Sequence, residues 1–290
     1  MIEYLQNKHI SDEYIVAKLS EYWKEDMPNG DQTTECTVPE NTHIKAEIKA
    51  VEELVFAGKK IIPHCFGKDC QVTKSQEDGN LLSSGDVLAM VAGSARDILS
   101  RERVMLNLIQ RLCGIATLSR KYAKIANPFN VMILDTRKTT PGLRLFEKFA
   151  VAIGGSYNHR MNLSDGILIK DNHIIAAGSI TGAIVSAQKS NVNLPIELEV
   201  DNIDQIKSTI EYAPKMKRRP IWIKRPPKRR GFVYGVGFGS THRRLVDSWE
   251  NSAKQARIEI AKQMDTSVGA LLKNATGDYS EGIRWIEETT

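Results

Sequence analysis

The sequence predicts an α/β protein in two parts: an N-terminal α+β open sandwich domain, followed by an incomplete parallel β/α barrel. Three observations predict it. Residues 1–114 mix a helical spacing with alternating apolar and polar runs. From residue 131 short apolar strands and helices alternate, and charged residues gather at the strand ends. After Ala213 that alternation gives way to PKMKRRPIWIKRPPKRR at 214–230, with nine Lys/Arg and no acid. The first domain is placed at 1–114 together with 275–290, and the barrel at 115–274.

In ISDEYIVAKLSEYWKED, Ser11 can cap a helix whose Ile15, Leu19 and Trp23 recur at helical spacing. MPNGDQTTE reads as a polar loop. THIKAEIKAVEELVFAG alternates as a half-buried strand does, and Gly58 ends it. KKIIPHCFG reads as a short helix, and LLSSGDVLAMVAGS as strand, turn, strand. SARDILSRERVMLNLIQRLCGIATLSRKYAKIA is the longest helical pattern, with a break expected at Gly114. VMILDTRK is then a strand ending in charge. PGLRLFEKFAVAIGG is a helix opened by proline and stopped by a glycine pair. DGILIKDNH is a strand, SITGAIVSAQKSN a helix, and LPIELEVDNIDQIKSTIEYA a strand followed by a helix.

At 41% hydrophobic and 26% charged residues the chain has the composition of a globular protein. No stretch approaches the roughly 20 apolar residues of a membrane span. The N-terminus carries acids from its third residue and no long apolar run, unlike a signal peptide. Four scattered cysteines fit a reducing, cytoplasmic setting. His64, Cys65 and Cys70 make a poor zinc half-site with no second half, so these thiols read as buried or incidental. The net charge of +5 resides in the basic run; without 214–230 it becomes −4. Such a run suits phosphate or nucleic acid, but no recognition motif or aromatic beyond Trp222 accompanies it, so nucleic acid is not the expected partner.

Between Asp135 and His173 the chain places Arg137, Lys138, Arg144, Lys148, Arg160 and Lys170 among glycines and apolar runs. Arg137 and Lys138 follow one predicted barrel strand and Lys170 another, while Glu199 and Asp201 belong to a third and its end. Barrel active sites lie at strand C-terminal ends. Clustered Arg and Lys bind carboxylates and phosphates through charge-assisted hydrogen bonds. Carboxylates facing them suit a Mg²⁺ ion or a developing cation. His159, beside Arg160, is either a carboxylate donor or a structural histidine.

The segments GDQTTE, ERVMLNLIQRLCGIAT, LDTRKTTPGLRLFEKFAVAIGG, NHRMNLSDGILIKDNHI and ELEVDNIDQI resemble the nicotinate-nucleotide pyrophosphorylase family, the quinolinate phosphoribosyltransferases, over residues 8–213. The molybdenum-transport-associated paralogue shares the fold, but IKDNH and the ELEVD strand are more similar to the pyrophosphorylase. The resemblance implies transfer of phosphoribosyl from phosphoribosyl pyrophosphate to quinolinate with decarboxylation, giving nicotinate mononucleotide. It implies that Arg137, Lys138, His159 and Arg160 bind the quinolinate carboxylates, with Thr136 beside them. It places Lys170 between the two substrates and Glu199 toward the ribose hydroxyls and Mg²⁺. It makes Lys170, Glu199 and Lys138 the catalytic group. Ser267 and Gly269, in SVGAL, belong to a phosphate-binding turn. Arg103 enters the partner's site in a homodimer.

The resemblance stops after Ala213 and returns at Ser267, so 214–266 depart from the family. The family's next strand ends in Leu-Asp-Asn and a later one carries a Ser-Gly-Gly phosphate loop. Neither is present, which also admits a catalytically impaired member that binds quinolinate. GVGFGS at 235–240 is a weak substitute loop. The genetic code offers another account. Trp222-Ile223 requires TGG-ATH, and read one base earlier this gives Leu or Met followed by Asp. In the same shifted frame Gln263–Thr266 permits Thr-Asp-Gly-Tyr, the family's approach to SVGAL. The expected outcome is that the coding DNA, translated in three frames, shows a family-like reading of 214–266. The absence of one in every frame would reject the shift.

Overall fold

In the computed structural model, which describes residues 4–129, 131–190, 192–202, 204–205 and 209, the cap expected at Ser11 is in place. Its Oγ accepts the Tyr14 N–H at 3.3 Å and opens helix α1 (Asp12–Asp26). Asp12 and Glu13 occupy the positive end of the helix dipole, and Ile15 and Leu19 are fully buried. Trp23 packs at the edge of the same core, with the Arg101 guanidinium 4.2 Å over its ring.

Two compact units divide the described residues. The first comprises Leu5–Ala126 and Met132–His159; the second comprises Tyr4, residues 127–129 and 131, and Arg160 onward. In the first, strands β1 (His43–Lys49), β3 (Cys70–Ser75) and β5 (Val87–Ser94) form an antiparallel sheet of order β1-β5-β3. β2 (Leu54–Val55) and β4 (Leu81–Leu82) pair separately. The stretch read as one strand to Gly58 is therefore two, in different sheets. The ladder shifts register after Ile48, and Ala50 exchanges backbone hydrogen bonds with Gly85 and Asp86 instead. The expected loop at 27–35 contains a short helix, α2 (Gln32–Thr37), capped by Asp31 through the Thr34 N–H at 3.0 Å. Only Thr34 is buried in it, so no apolar period marked it. β3 offers only Cys70 and Val72, partly buried against the core, which is too short an alternation to mark a strand. The short helix expected near Pro63 is a 3₁₀ turn over Ile62–Cys65.

Helix α3 (Ala95–Ala126) runs unbroken through Gly114, contrary to the expected break. A helical glycine costs about 1 kcal/mol. The buried stripe Ile109, Leu112, Cys113 and Ala116 outweighs that cost. Helix α4 (Arg144–Gly154) lies against α3, and a Cβ at Gly154 would come 2.5 Å from Ala116 O and Ser119 Cβ. Gly155 ends α4 with φ +96°, a left-handed cap that glycine adopts without strain. α4 starts at Arg144 because Pro141 lies in the preceding turn, closed by Leu143 N–H to Thr140 O at 3.1 Å. The strand expected at 131–134 contracts to one parallel bridge, Leu134 to Tyr157. Pairing ends there because the next amides bind side chains: Asn158 N–H donates to Gln6 Oε1 at 2.7 Å, and His159 N–H to Asp135 Oδ1 at 2.8 Å.

The second unit is a βαβ arrangement. β6 (Ile167–Ile169) and β7 (Ile196–Leu198) pair in parallel, with Ile169 opposite Leu198. α5 (Asp171–Ala176) and α6 (Ile180–Lys189) connect them. Ile169, Ala183 and Ile184 form their core, and Ser179 caps α6 through the Gly182 N–H. The helix expected after Asp201 falls largely outside the described residues, as do residues 214–290.

All four cysteines are free, with Cys36 exposed and Cys65 and Cys113 buried. Burial pushes the Cys65 and Cys113 thiols up to about 12, leaving almost no thiolate at pH 8. A disulfide-exchange reagent at pH 8 should therefore titrate Cys36 rapidly in the folded protein. Cys65 and Cys113 should react only after denaturation, and fast reaction of either would contradict this packing.

Candidate active site

The Leu134–Tyr157 bridge delivers two segments side by side within the first unit: 135–140, and 158–159. Asp135 ties them together. Its Oδ1 accepts the Lys148 ammonium and the His159 N–H (2.8 Å), and its Oδ2 accepts Asn158 Nδ2 at 2.8 Å. The Lys148 side chain is 1% exposed and that of Asp135 is 9%, so this is a buried ion pair. Lys148 Nζ also donates to His159 O at 3.0 Å. Asn158 is fully buried and completes its hydrogen bonds with Asn7, Gln6 and Lys148 O.

On this frame Thr136 and Lys138 are exposed, and Thr136 Oγ1 accepts the Lys138 N–H at 3.1 Å. Arg137 is half-buried, and its Nε is buried with no hydrogen-bond partner among the described residues. A buried guanidinium donor left in that state suits an anionic ligand. The far end of the segment is fixed by Glu147, whose carboxylate accepts the Thr140 N–H at 3.3–3.4 Å and Arg111 Nε at 2.9 Å. Arg144 Nε donates to Thr139 Oγ1 at 3.0 Å. Arg103 is exposed on α3.

In the second unit Lys170 and Glu199 each follow directly on a strand, at the C-terminal ends of neighbouring parallel strands. Glu199 N–H continues the ladder to Ile169 O at 2.9 Å, and Lys170 Nζ lies 2.9 Å from Glu199 Oε2. Their side chains are 43% and 58% exposed, so the pair faces solvent. Arg160 is buried, with Nη1 donating to Gly166 O at 2.7 Å. Tyr4 donates to Glu197 at 3.0 Å; burial first, and Glu197 second, push its hydroxyl up to about 12, so it stays a neutral donor.

Of the residues read from sequence, Thr136, Arg137, Lys138 and His159 thus share one frame, and Arg160, Lys170 and Glu199 belong to the other unit. Ser267 and Gly269 lie outside the described residues. The frame residues Asp135, Asn158 and Glu147 were missed, and Lys148 was counted among the cations but has its charge turned inward. One signal was available: the adjacent opposite charges Glu147-Lys148 sit between Phe146 and Phe149 on the apolar side of α4.

The chain is thus an α/β protein whose first unit carries a cation-rich segment on a buried frame and whose second carries a cation and a carboxylate in register on parallel strands. Comparison with known proteins specifies the family. The N-terminal domain of quinolinate phosphoribosyl transferase matches residues 31–113, and the C-terminal domain matches 115–216. A probable carboxylating nicotinate-nucleotide pyrophosphorylase of Bacillus subtilis is 44% identical over 196 residues, 66% of this chain and 68% of the relative. The Mycobacterium leprae enzyme of that name is 38% identical over 207 residues, 68% of this chain and 73% of the relative. A chloroplastic relative from Arabidopsis thaliana is 40% identical, and the chain spans 54% of its length. The solved nicotinate-nucleotide pyrophosphorylase of Francisella tularensis superposes with a TM-score of 0.67 at 33% identity, covering 72% of this chain and 75% of that one. The chain belongs to the quinolinate phosphoribosyltransferase family.

The Lys170–Glu199 pair is solvent-exposed, so its contribution to stability is at most about 1 kcal/mol. Lys170→Ala and Glu199→Ala should therefore leave the thermal midpoint almost unchanged. A large drop in a melting experiment would mean that the pair holds the fold rather than a ligand.

Proposed function

We propose that this chain is a carboxylating nicotinate-nucleotide pyrophosphorylase, which joins quinolinate to phosphoribosyl pyrophosphate and releases pyrophosphate and CO₂. The observation that carries the reading is the in-register Lys170–Glu199 pair at the ends of β6 and β7, in a chain of this family.

Quinolinate is a dicarboxylate. Arg137, Lys138, His159 and Arg160 supply donors for its two carboxylates, and the unpartnered Nε of Arg137 supports that role. The ring nitrogen forms a bond to the ribose carbon as the bond to pyrophosphate breaks, and pyrophosphate leaves with the electron pair. Positive charge develops on the ribose in that step. Glu199 is the carboxylate placed to face it, and Lys170 faces the anionic partners. Charges fixed before the reaction supply a large share of such catalysis. Loss of CO₂ then leaves an electron pair on the ring carbon beside the positive nitrogen, and a proton replaces the carboxylate.

Mg²⁺ is the proposed cofactor, and it neutralises pyrophosphate charge when bound. The described residues hold no group of three or more His, Cys, Asp or Glu that would cage a metal. The donor set therefore fits an ion held mainly by substrate phosphates and water, with Glu199 as a single exposed carboxylate. We also propose a homodimer in which Arg103 reaches the neighbouring subunit's site; its exposure on α3 suits that role. Four free cysteines fit a reducing compartment such as the cytoplasm. No helix among the described residues is long and apolar enough to cross a membrane.

A second reading has its own observation. The family match ends at residue 216, where the basic run begins, so a member that binds quinolinate without turnover is the alternative. The test is formation of nicotinate mononucleotide from quinolinate, phosphoribosyl pyrophosphate and Mg²⁺ by the chain as written. Turnover is expected, with kcat/KM reduced about 10²- to 10³-fold by Arg137→Ala or Lys170→Ala. Quinolinate binding without turnover would establish the second reading, and neither binding nor turnover would overturn both.

A further inference from the structure

The pair Glu147–Lys148 is the most unusual feature that the proposed chemistry does not use. Adjacent residues of opposite charge are both buried on one helix, at 7% and 1% exposure. Burying charges is costly unless each is paired and hydrogen-bonded. Each of these is, and each holds one end of the same segment. Lys148 takes Asp135 at the start, and Glu147 takes the Thr140 N–H at the finish. Lys148 also takes the carbonyl of His159, and Asp135 takes its amide. Both peptide groups of His159 are therefore fixed by this one ion pair. Three residues proposed to grip the dicarboxylate, Arg137, Lys138 and His159, lie inside this framework.

We propose that Glu147 and Lys148 form a two-point clamp that positions 136–139 and His159 for the dicarboxylate. The inference rests on the function proposed above. Neither residue touches the substrate; both are positioning residues. The clamp sets the spacing of the cations by using a helix, whose backbone is rigid, in place of a β-ladder that ends after one bridge. It also keeps the Lys148 ammonium from competing for substrate, because Asp135 neutralises it internally.

The experiment measures quinolinate binding by calorimetry, and thermal melting, on the full chain. Lys148→Met preserves the stem but strands the Asp135 carboxylate, so both affinity and melting temperature should fall. Lys148→Met combined with Asp135→Asn removes the stranded charge. The two donors Asn158 Nδ2 and His159 N–H meet different oxygens of Asp135, and an asparagine replaces one of those oxygens by a donor, so it cannot accept both in place. The double variant should therefore regain melting temperature while its quinolinate Kd stays raised roughly ten- to a hundredfold, the cost of a small misplacement of binding groups. Glu147→Gln retains one acceptor and should bind better than Glu147→Ala. Recovery of affinity together with stability in the double variant would make the pair merely structural and overturn the clamp. An unchanged Kd in a folded Lys148→Met protein would do the same. If the unsubstituted chain binds no quinolinate, the functional reading fails along with the clamp, which separates the two failures.

Discussion

The structure of the cation-rich region depends on one buried ion pair, Asp135 with Lys148. Removing two charges from water costs several kcal/mol for each ion, and attraction between them offsets this only with good geometry and further hydrogen bonds. Both conditions hold. Asp135 accepts from three donors, and Lys148 reaches a carboxylate and a carbonyl. Asn158 completes the arrangement with every one of its side-chain hydrogen-bonding atoms engaged. A partly satisfied network at this depth would destabilise the protein more than an apolar core would. Satisfied, it fixes the exit direction of two chain segments at once.

The lysines of this region divide by burial. Lys148 is buried and bonded to protein groups. Lys138 and Lys170 are exposed or half-exposed. An exposed pair such as Lys170–Glu199 is weak in water. It can exchange partners when a polyanion arrives without a large stability change. A buried pair cannot exchange in that way. The costly Asp135–Lys148 pair thus lies where nothing must move, and the inexpensive Lys170–Glu199 pair where the proposed substrate would bind.

Much of this was legible in the sequence, because the signals were periodic. Ser11, Ile15 and Leu19 marked α1, the glycine pair at 154–155 marked the end of α4, and β6, α6 and β7 followed the strand-helix rhythm. Lys170 and Glu199 were legible as residues at or near strand ends, but their pairing in register exists only in the fold. Short polar elements were not legible: α2 and β3 bury too little apolar surface to show a period. Gly114 misled because burial along α3 overrides local propensity. The Asp135 frame was illegible for a different reason. Its partners are separated by up to 152 residues, as with Gln6 and Asn158, and the pairing exists only once the chain has folded.

The sharp loss of family likeness near residue 216 then acquires a physical meaning. Every residue proposed for the dicarboxylate lies before it, and so do Asp135 and the described residues that bond to it. Ser267 and Gly269, which the family resemblance assigns to phosphate, lie after it. Among the described residues, the donors and acceptors of the Asp135 frame are engaged by Gln6, Asn7, Lys148, Asn158 and His159. In the proposed function, the residues for the acid therefore all precede the divergent stretch, whereas those for the phosphoribosyl donor flank it. The acid-binding residues proposed at 136–139 and 159 are held by the buried Asp135–Lys148 pair, a constraint set by residues well before the divergence.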